Sequence, residues 1–140
     1  YMVAWELHYS ATDHDIYTRA VSGLGVTDPV RPVAESGDNE THPAISGDET
    51  GDRYLATWNA PIPGFINTAI FGRPISLNGG IIGVQALIGG LFADYPAVAT
   101  GRSGDFFIAF QDPNLLVPVT LNLWGAFWGQ WNYQPMLFQP

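Results

Sequence analysis

The residues best suited to bind a transition metal lie in the first third of the chain. All three His of the sequence fall within residues 1–52, together with ten of the thirteen acidic residues. Imidazole and carboxylate groups are the protein ligands that zinc and related ions accept. We therefore keep a metal site as one hypothesis for this region, and a solvated acidic surface as its alternative. The candidate ligands are His8, Asp13, His14, Asp38, Glu40 and His42.

The acidic segment 47–52 is a second candidate for cation binding. It reads Gly-Asp-Glu-Thr-Gly-Asp, and Ca²⁺ prefers clustered oxygen ligands of this kind. The spacing differs from the DxDxDG pattern of calcium loops, and a tight hairpin turn uses the same residue types. We expect no obligatory cofactor and retain Ca²⁺ or a transition metal as alternatives.

Motifs for covalent or phosphate chemistry are missing from the sequence. It has no GxSxG nucleophile motif, no phosphate-binding glycine loop and no Cys. Asp13 and Glu40 form a nominal pair of carboxylates for glycoside hydrolysis, but no motif supports that role. We expect a protein that is not an enzyme.

Composition excludes several classes of protein. Thirteen acidic residues against five Arg and no Lys give a net charge of −8, which argues against binding nucleic acid. A hydrophobic content of 46% is too high for a disordered chain. No apolar run approaches the roughly 18 residues of a membrane-spanning helix. The sequence therefore predicts a folded chain that does not span a membrane.

An internal repeat organises the chain. His42-Pro43-Ala44-Ile45 recurs 53 residues later as Tyr95-Pro96-Ala97-Val98. The segment 54–59 resembles 1–6 before it and 106–111 after it, and the segment 15–22 resembles 69–76 and 122–126. Each block is aromatic or β-branched and is bounded by turn-forming residues, which is typical of a strand. The repeat therefore predicts an all-β fold with four strands in about 53 residues.

Four strands in a unit of this length match one blade of a β-propeller. With the Pro-Ala strand labelled A, the chain runs B-C-D-A, B-C-D-A, B-C and a tail. We assign 1–41 to a partial blade, 42–94 to a second blade and 95–129 to a partial third blade. Residues 130–140 are assigned to a C-terminal strand or a docking tail.

The quoted motifs also resemble the roughly 50-residue propeller repeats of secreted bacterial proteins, which are similar in layout to kelch blades. The resemblance covers residues 1 to about 129. The third copy departs from it, with Asn122-Leu123-Trp124 where the first has Asp15-Ile16-Tyr17. The resemblance implies a propeller fold and a location outside the cytoplasm, whether extracellular, periplasmic or at the cell surface.

About two and three-quarter blades form an open fragment, because propellers close with about four to eight blades. Exposed ends of a repeat array leave apolar faces that other sheets cover. We therefore expect protein partners, which are remaining blades, copies of the chain or other subunits. Propeller geometry also places the B–C and D–A loops on one rim, which would gather the candidate metal ligands.

Apolar residues at repeated positions and apolar residues in loops predict different roles. Trp5, Trp58 and Phe110 share one repeat position, which indicates core packing between blades. Apolar residues in loops indicate a covered surface, because loops are polar when they face water. We predict a non-catalytic binding or scaffolding module that acts through protein contacts, with a carbohydrate-binding propeller as the alternative and a glycoside hydrolase as the less favoured one. The predicted contact residues are Phe65, Ile66, Leu91, Phe92, Tyr95, Leu115 and Leu116.

Overall fold

The computed structural model describes residues 1–49, 52–89, 91–101, 104–113, 121–128 and 133–137, with side chains as far as residue 111. Within these ranges the chain forms strands and no helix, which confirms the predicted all-β class. The eleven described strands are β1 (Met2–Ser10), β2 (Asp13–Ala20), β3 (Arg31–Ala34), β4 (Thr41–Gly47), β5 (Arg53–Pro61), β6 (Thr68–Ser76), β7 (Ala86–Leu87), β8 (Asp94–Thr100), β9 (Phe106–Pro113), β10 (Leu121–Trp128) and β11 (Tyr133–Leu137).

The strands form three antiparallel sheets, and each strand pairs with its neighbours in the chain. The first sheet has the order β1-β2-β3, the second β4-β5-β6-β7 and the third β8-β9-β10-β11. None of the three sheets closes on itself. Part of the predicted tail, residues 133–137, forms β11 and pairs with β10. The repeated blocks of the sequence therefore correspond to consecutive strands of successive sheets.

The Pro-containing strands β4 and β8 begin with the same backbone irregularity. The pairing register shifts between Thr41 and Ala44 in β4, and between Asp94 and Ala97 in β8. His42 and Tyr95, which precede the prolines, have φ values of 53° and 50°. Non-glycine residues rarely adopt a positive φ, so two such residues at equivalent positions mark a repeated bulge. The bulge turns the side chains of His42 and Tyr95 toward each other at the edge of two neighbouring sheets, where their ring centroids lie 4.3 Å apart.

The hydrophobic core lies on both faces of the second sheet. One cluster joins Ile16 and Val33 of the first sheet to Trp58 and Ile75 of the second. The other joins Leu55 and Ile70 of the second sheet to residues of the third. Successive residues of a strand point to opposite faces, so β5 supplies both clusters. The residues of the third sheet in the second cluster are Phe106, Ile108 and Phe110.

Arg side chains bind the sheets to one another through backbone carbonyls. Arg73 Nη1 donates to the carbonyl of Val33, and Arg31 Nε donates to that of Asn78 at 3.0 Å. Between the second and third sheets, Arg53 Nη2 donates to the carbonyl of Gly104 at 3.0 Å. These bonds fix how the sheets are stacked, beyond what apolar packing alone would specify.

Among the described residues, no helix has the length and apolarity needed to cross a membrane.

Candidate functional sites

The face of the first sheet that points away from the second sheet carries an apolar surface, here called the outer face. Residues of β1 alternate between the two sides of the sheet, and Val3, Leu7 and Tyr9 lie exposed on the outer face. Trp5 and Tyr17 pair across β1 and β2 on this same side, with their rings stacked and their centroids 6.2 Å apart. β2 adds Arg19 and Asp15 to this side, opposite Val3 and Leu7, so the apolar side chains share the face with two charged residues. Grouped exposed apolar residues mark an interaction site more often than scattered ones do.

The outer face repeats the face of the second sheet that the first sheet covers. Trp58 and Phe71 stack with a centroid distance of 6.5 Å and an interplanar angle of 23°. Their repeat equivalents Trp5 and Tyr17 stack at an angle of 24°. Ala56 and Trp58 are 0% exposed, whereas their repeat equivalents on the outer face are more open, with Val3 49% exposed and Trp5 half-buried. The same side-chain arrangement is therefore fully covered in the second sheet and only partly covered in the first.

A polar residue after the repeated aromatic position contacts the next sheet. Glu6 follows Trp5, and its Oε2 accepts a hydrogen bond from the backbone N–H of His42 at the start of β4. Asn59 follows Trp58, and its Nδ2 donates to the carbonyl of Ala93, just before β8. Gln111 occupies the same position in the third sheet. The repeat thus encodes a polar contact between sheets as well as an apolar one.

Three side chains with metal-ligating atoms converge at the end of β1 and β2. Glu6 Oε1 lies 2.7 Å from His8 Nε2 and 2.8 Å from His14 Nδ1. The His8 and His14 rings stack with their centroids 3.9 Å apart. The two histidines were predicted from the sequence, whereas Glu6 was not. The sequence does contain a signal for Glu6, because a polar residue follows the aromatic position in each repeat. No role was assigned to that polar residue from the sequence.

The other predicted metal ligands lie in separate contacts. The backbones of Asp38 and Glu40 contact His14 on β2, because the His14 N–H donates to the Asp38 carbonyl and the Glu40 N–H donates to the His14 carbonyl. The Glu40 side chain instead accepts a hydrogen bond from Ser36 Oγ at 2.6 Å. His42 Nδ1 pairs with Asp94 Oδ1 at 2.9 Å. Asp13 is half-buried at the start of β2.

A cleft of about 230 Å³ lies between the first and second sheets. It is lined by Glu40, Ser36, Phe71 and Arg73 among others. Glu40 is 6% exposed, and its Oε2 has no hydrogen-bond partner among the described residues. Arg73 Nε also lacks a partner within the part of the chain that the structure describes. The cleft therefore presents a buried carboxylate beside a guanidinium and an aromatic ring.

Burial raises the pKa of two carboxyl groups beside this cleft. The pKa of Glu40 is raised by burial and by the charges of Asp15 and Asp38, against the lowering effect of the Ser36 hydrogen bond. The pKa of Asp15 is raised chiefly by burial as well, while the backbone N–H of Ser36 opposes that rise. A carboxyl group with a raised pKa stabilises the fold below its unfolded-state pKa, and that stability is lost as pH rises through the folded-state pKa.

The Glu40→Gln variant is expected to gain stability relative to the wild type as pH rises from 4 to 7. The amide cannot ionise, so the variant escapes the cost of a buried charge above the ordinary Glu pKa of 4.5. Thermal unfolding at several pH values measures the difference. Glu49→Gln, which removes one carboxyl group at an exposed position, is the control for the change in net charge. A Glu40→Gln difference that stays constant with pH would contradict the assignment.

Most of the predicted contact residues are exposed, although Tyr95 lies in β8 of the third sheet rather than in a loop. Phe65, Ile66, Leu91 and Tyr95 are exposed, and Phe92 is half-buried. The Phe92 N–H donates to the carbonyl of Thr68, the first residue of β6. This hydrogen bond joins the loop before β8 to the strand that follows Phe65 and Ile66. Leu115 and Leu116 lie outside the described residues.

In the acidic hairpin between β4 and β5, the carboxylate of Asp48 binds groups of the hairpin itself. Asp48 Oδ1 accepts a hydrogen bond from the Asp52 N–H at 3.0 Å, and Asp48 Oδ2 pairs with Arg53 Nε at 3.1 Å. These contacts are those of an Asp that holds a tight turn. The Ca²⁺ hypothesis for this segment stays a prediction.

Comparison of the chain with protein-family models, with curated proteins and with solved structures found no match.

Proposed function

We propose that the chain is a non-catalytic binding and scaffolding module of β-propeller type, in which each sheet is a blade. The outer face of the first sheet is the contact surface, and its partner is another sheet of the same repeat. One observation carries this proposal. The Trp5–Tyr17 pair on the outer face has the geometry of the Trp58–Phe71 pair, which the first sheet covers inside the chain.

The third sheet supports this choice of partner. In β9, Phe106, Ile108 and Phe110 pack toward the second sheet. Ala109 and Gln111 alternate with them and so face the other way. They are the repeat equivalents of Thr57 and Asn59, and Asn59 binds the second sheet to the third. The chain thus carries both halves of one interface at opposite ends of its stack of sheets.

Two complementary surfaces at opposite ends of a molecule produce head-to-tail association. In the isolated chain, the third sheet of a second copy would supply the cover for the outer face. In a longer polypeptide, a flanking blade would do the same. Either arrangement buries the exposed side chains of β1 and extends the pattern of apolar clusters between sheets.

The proposal predicts that Val3 is covered when chains associate. Because the sequence contains no Cys, Val3→Cys introduces a single thiol on the outer face. When about 90% of the outer faces are covered, thiol alkylation should slow about tenfold, since only the uncovered fraction reacts. The reaction rate is measured across a dilution series with a maleimide reagent.

Leu24→Cys is the matched control, because Leu24 is 93% exposed in the turn between β2 and β3 and lies off the outer face. Its thiol should react at one rate at every protein concentration. Equal, concentration-independent rates for both variants would refute coverage of the outer face by a second copy.

The carbohydrate-binding alternative rests on the cleft beside Glu40 and Arg73. A carboxylate, a guanidinium and the ring of Phe71 line it, and these are groups that hydrogen-bond and stack on sugars. The proposed protein contact has the stronger support, because its geometry occurs twice in the chain and is covered in one of the two places.

A further inference from the structure

We propose that Glu6, His8 and His14 form a binding site for one divalent transition-metal ion of the Zn²⁺, Ni²⁺ or Cu²⁺ type. One ligand atom from each residue lies within 4.8 Å of the others. The inference is independent of the proposed association, because all three ligands belong to one chain and lie on the first sheet.

The β-ladder positions the ligands. Glu6 and His8 are two residues apart on β1, so their side chains leave the strand on the same side. His14 lies directly opposite His8 in the register of β1 and β2. Side chains of directly opposed residues are close neighbours on one face of an antiparallel pair. The site is therefore built on two paired strands rather than on a loop alone.

The distances suit a small ion after a slight expansion. Tetrahedral ligands at 2.0–2.1 Å from zinc lie about 3.3 Å apart. Glu6 Oε1 is now 2.7 Å from His8 Nε2 and 2.8 Å from His14 Nδ1, as a hydrogen-bonded cluster requires. A metal ion would replace the shared protons, and Glu6 Oε1 would move away from the two nitrogens by roughly half an ångström. The stacked rings of His8 and His14 would also rotate so that both in-plane lone pairs point at the ion.

A backbone hydrogen bond orients the carboxylate of Glu6. Glu6 Oε2 accepts a hydrogen bond of 3.2 Å from the backbone N–H of His42, which leaves Oε1 directed at the two imidazoles. Hydrogen bonds of this kind to ligating groups raise metal affinity by fixing their geometry. The side chains of Glu6 and His14 are 20% and 16% exposed, whereas that of His8 is 65% exposed. The open side at His8 gives an ion access from solvent.

The ligand types select the class of ion. Two imidazole nitrogens and one carboxylate oxygen suit Zn²⁺, Cu²⁺ and Ni²⁺, while Ca²⁺ and Mg²⁺ prefer all-oxygen sites. Three protein ligands leave a fourth position for water, as in exchangeable zinc sites. We therefore expect reversible binding of one ion per chain.

Calorimetric titration of the full chain with ZnCl₂ tests the proposal. The wild type should bind one Zn²⁺ per chain, and His8→Ala should bind it at least about tenfold more weakly. Because His8 is exposed, this variant should fold normally. Glu6→Gln keeps the size of the side chain and should weaken binding to a similar degree. Excess CaCl₂ should leave the Zn²⁺ affinity unchanged, because Ca²⁺ prefers all-oxygen sites and should not compete for two imidazoles.

His42→Asn is the matched control. It removes the third His of the chain, keeps the backbone N–H that holds Glu6, and places at a positive φ a residue that tolerates it. Its Zn²⁺ affinity should equal that of the wild type. The proposal is overturned if the wild type shows no stoichiometric binding, or if His8→Ala and Glu6→Gln bind Zn²⁺ as tightly as the control.

Discussion

Replacement of Trp58 by Ala is expected to lower the free energy of unfolding by about 3–5 kcal/mol, the range for loss of a buried aromatic side chain. Trp58 is 0% exposed and packs between the first and second sheets with Ile16, Val33 and Ile75. Domains of this size have only about 5–15 kcal/mol of stability. The variant should therefore unfold at a much lower denaturant concentration, which equilibrium denaturation in urea measures.

Trp5→Ala is the matched control for Trp58→Ala, because Trp5 occupies the same repeat position on the outer face. In dilute solution it should cost no more than about 1.5 kcal/mol, since less apolar surface of Trp5 is buried in the single chain. Equal losses for the two variants in dilute solution would show that the outer face is already covered within one chain.

The second large effect concerns association. Val3→Lys places an ammonium group on the outer face, at the position that Ala56 occupies inside the core. Burying an unpaired charge in an apolar contact costs several kcal/mol. Association should therefore weaken at least about a hundredfold, which corresponds to about 2.7 kcal/mol. Sedimentation velocity over a concentration series measures the association constant.

Leu24→Lys carries the same charge change at an exposed position away from the outer face. It should associate like the wild type, which separates a local effect of Val3→Lys from a general effect of net charge. If both Lys variants associate as the wild type does, or if both lose association equally, the outer face is not the contact surface.

The strand content was predictable because the chain repeats. A single block such as 54–59 is ambiguous, but its recurrence in 1–6 and 106–111 indicates a structural unit with fixed inward and outward positions. Recurrence assigned Trp5, Trp58 and Phe110 to core packing, and the structure buries Trp58 and Phe110 but leaves Trp5 half-buried on the outer face. Periodicity thus carried the information that local propensity lacks.

The polar contacts of the site were harder to predict. Glu6 is one acidic residue among thirteen, and nothing local distinguishes it. Its contact with His42 spans 36 residues and depends on the bulge at the start of β4. The bulge arises at His42, where φ is positive in a residue that rarely adopts it. Contacts between sheets at such irregular positions follow from packing, which a sequence pattern does not express.

The grouping of candidate ligands shows the same limit. The sequence placed His8, His14 and His42 on one rim, and in the structure His14 and His42 both contact Glu6. However, His42 presents its backbone N–H to Glu6 and its ring to Asp94. Residue types and predicted loops were enough to predict that these residues share one region. The direction of the His42 side chain depends on its positive φ, which the sequence pattern does not predict.

The mass of the isolated chain in solution tests most directly whether the outer face is an unfilled contact between sheets. Light scattering across a wide concentration range should show mass rising above the 15.2 kDa of one chain as concentration increases. Val3→Lys should remain near the mass of one chain over that same range. A wild-type chain that keeps the mass of one copy at every concentration would contradict head-to-tail association of its sheets.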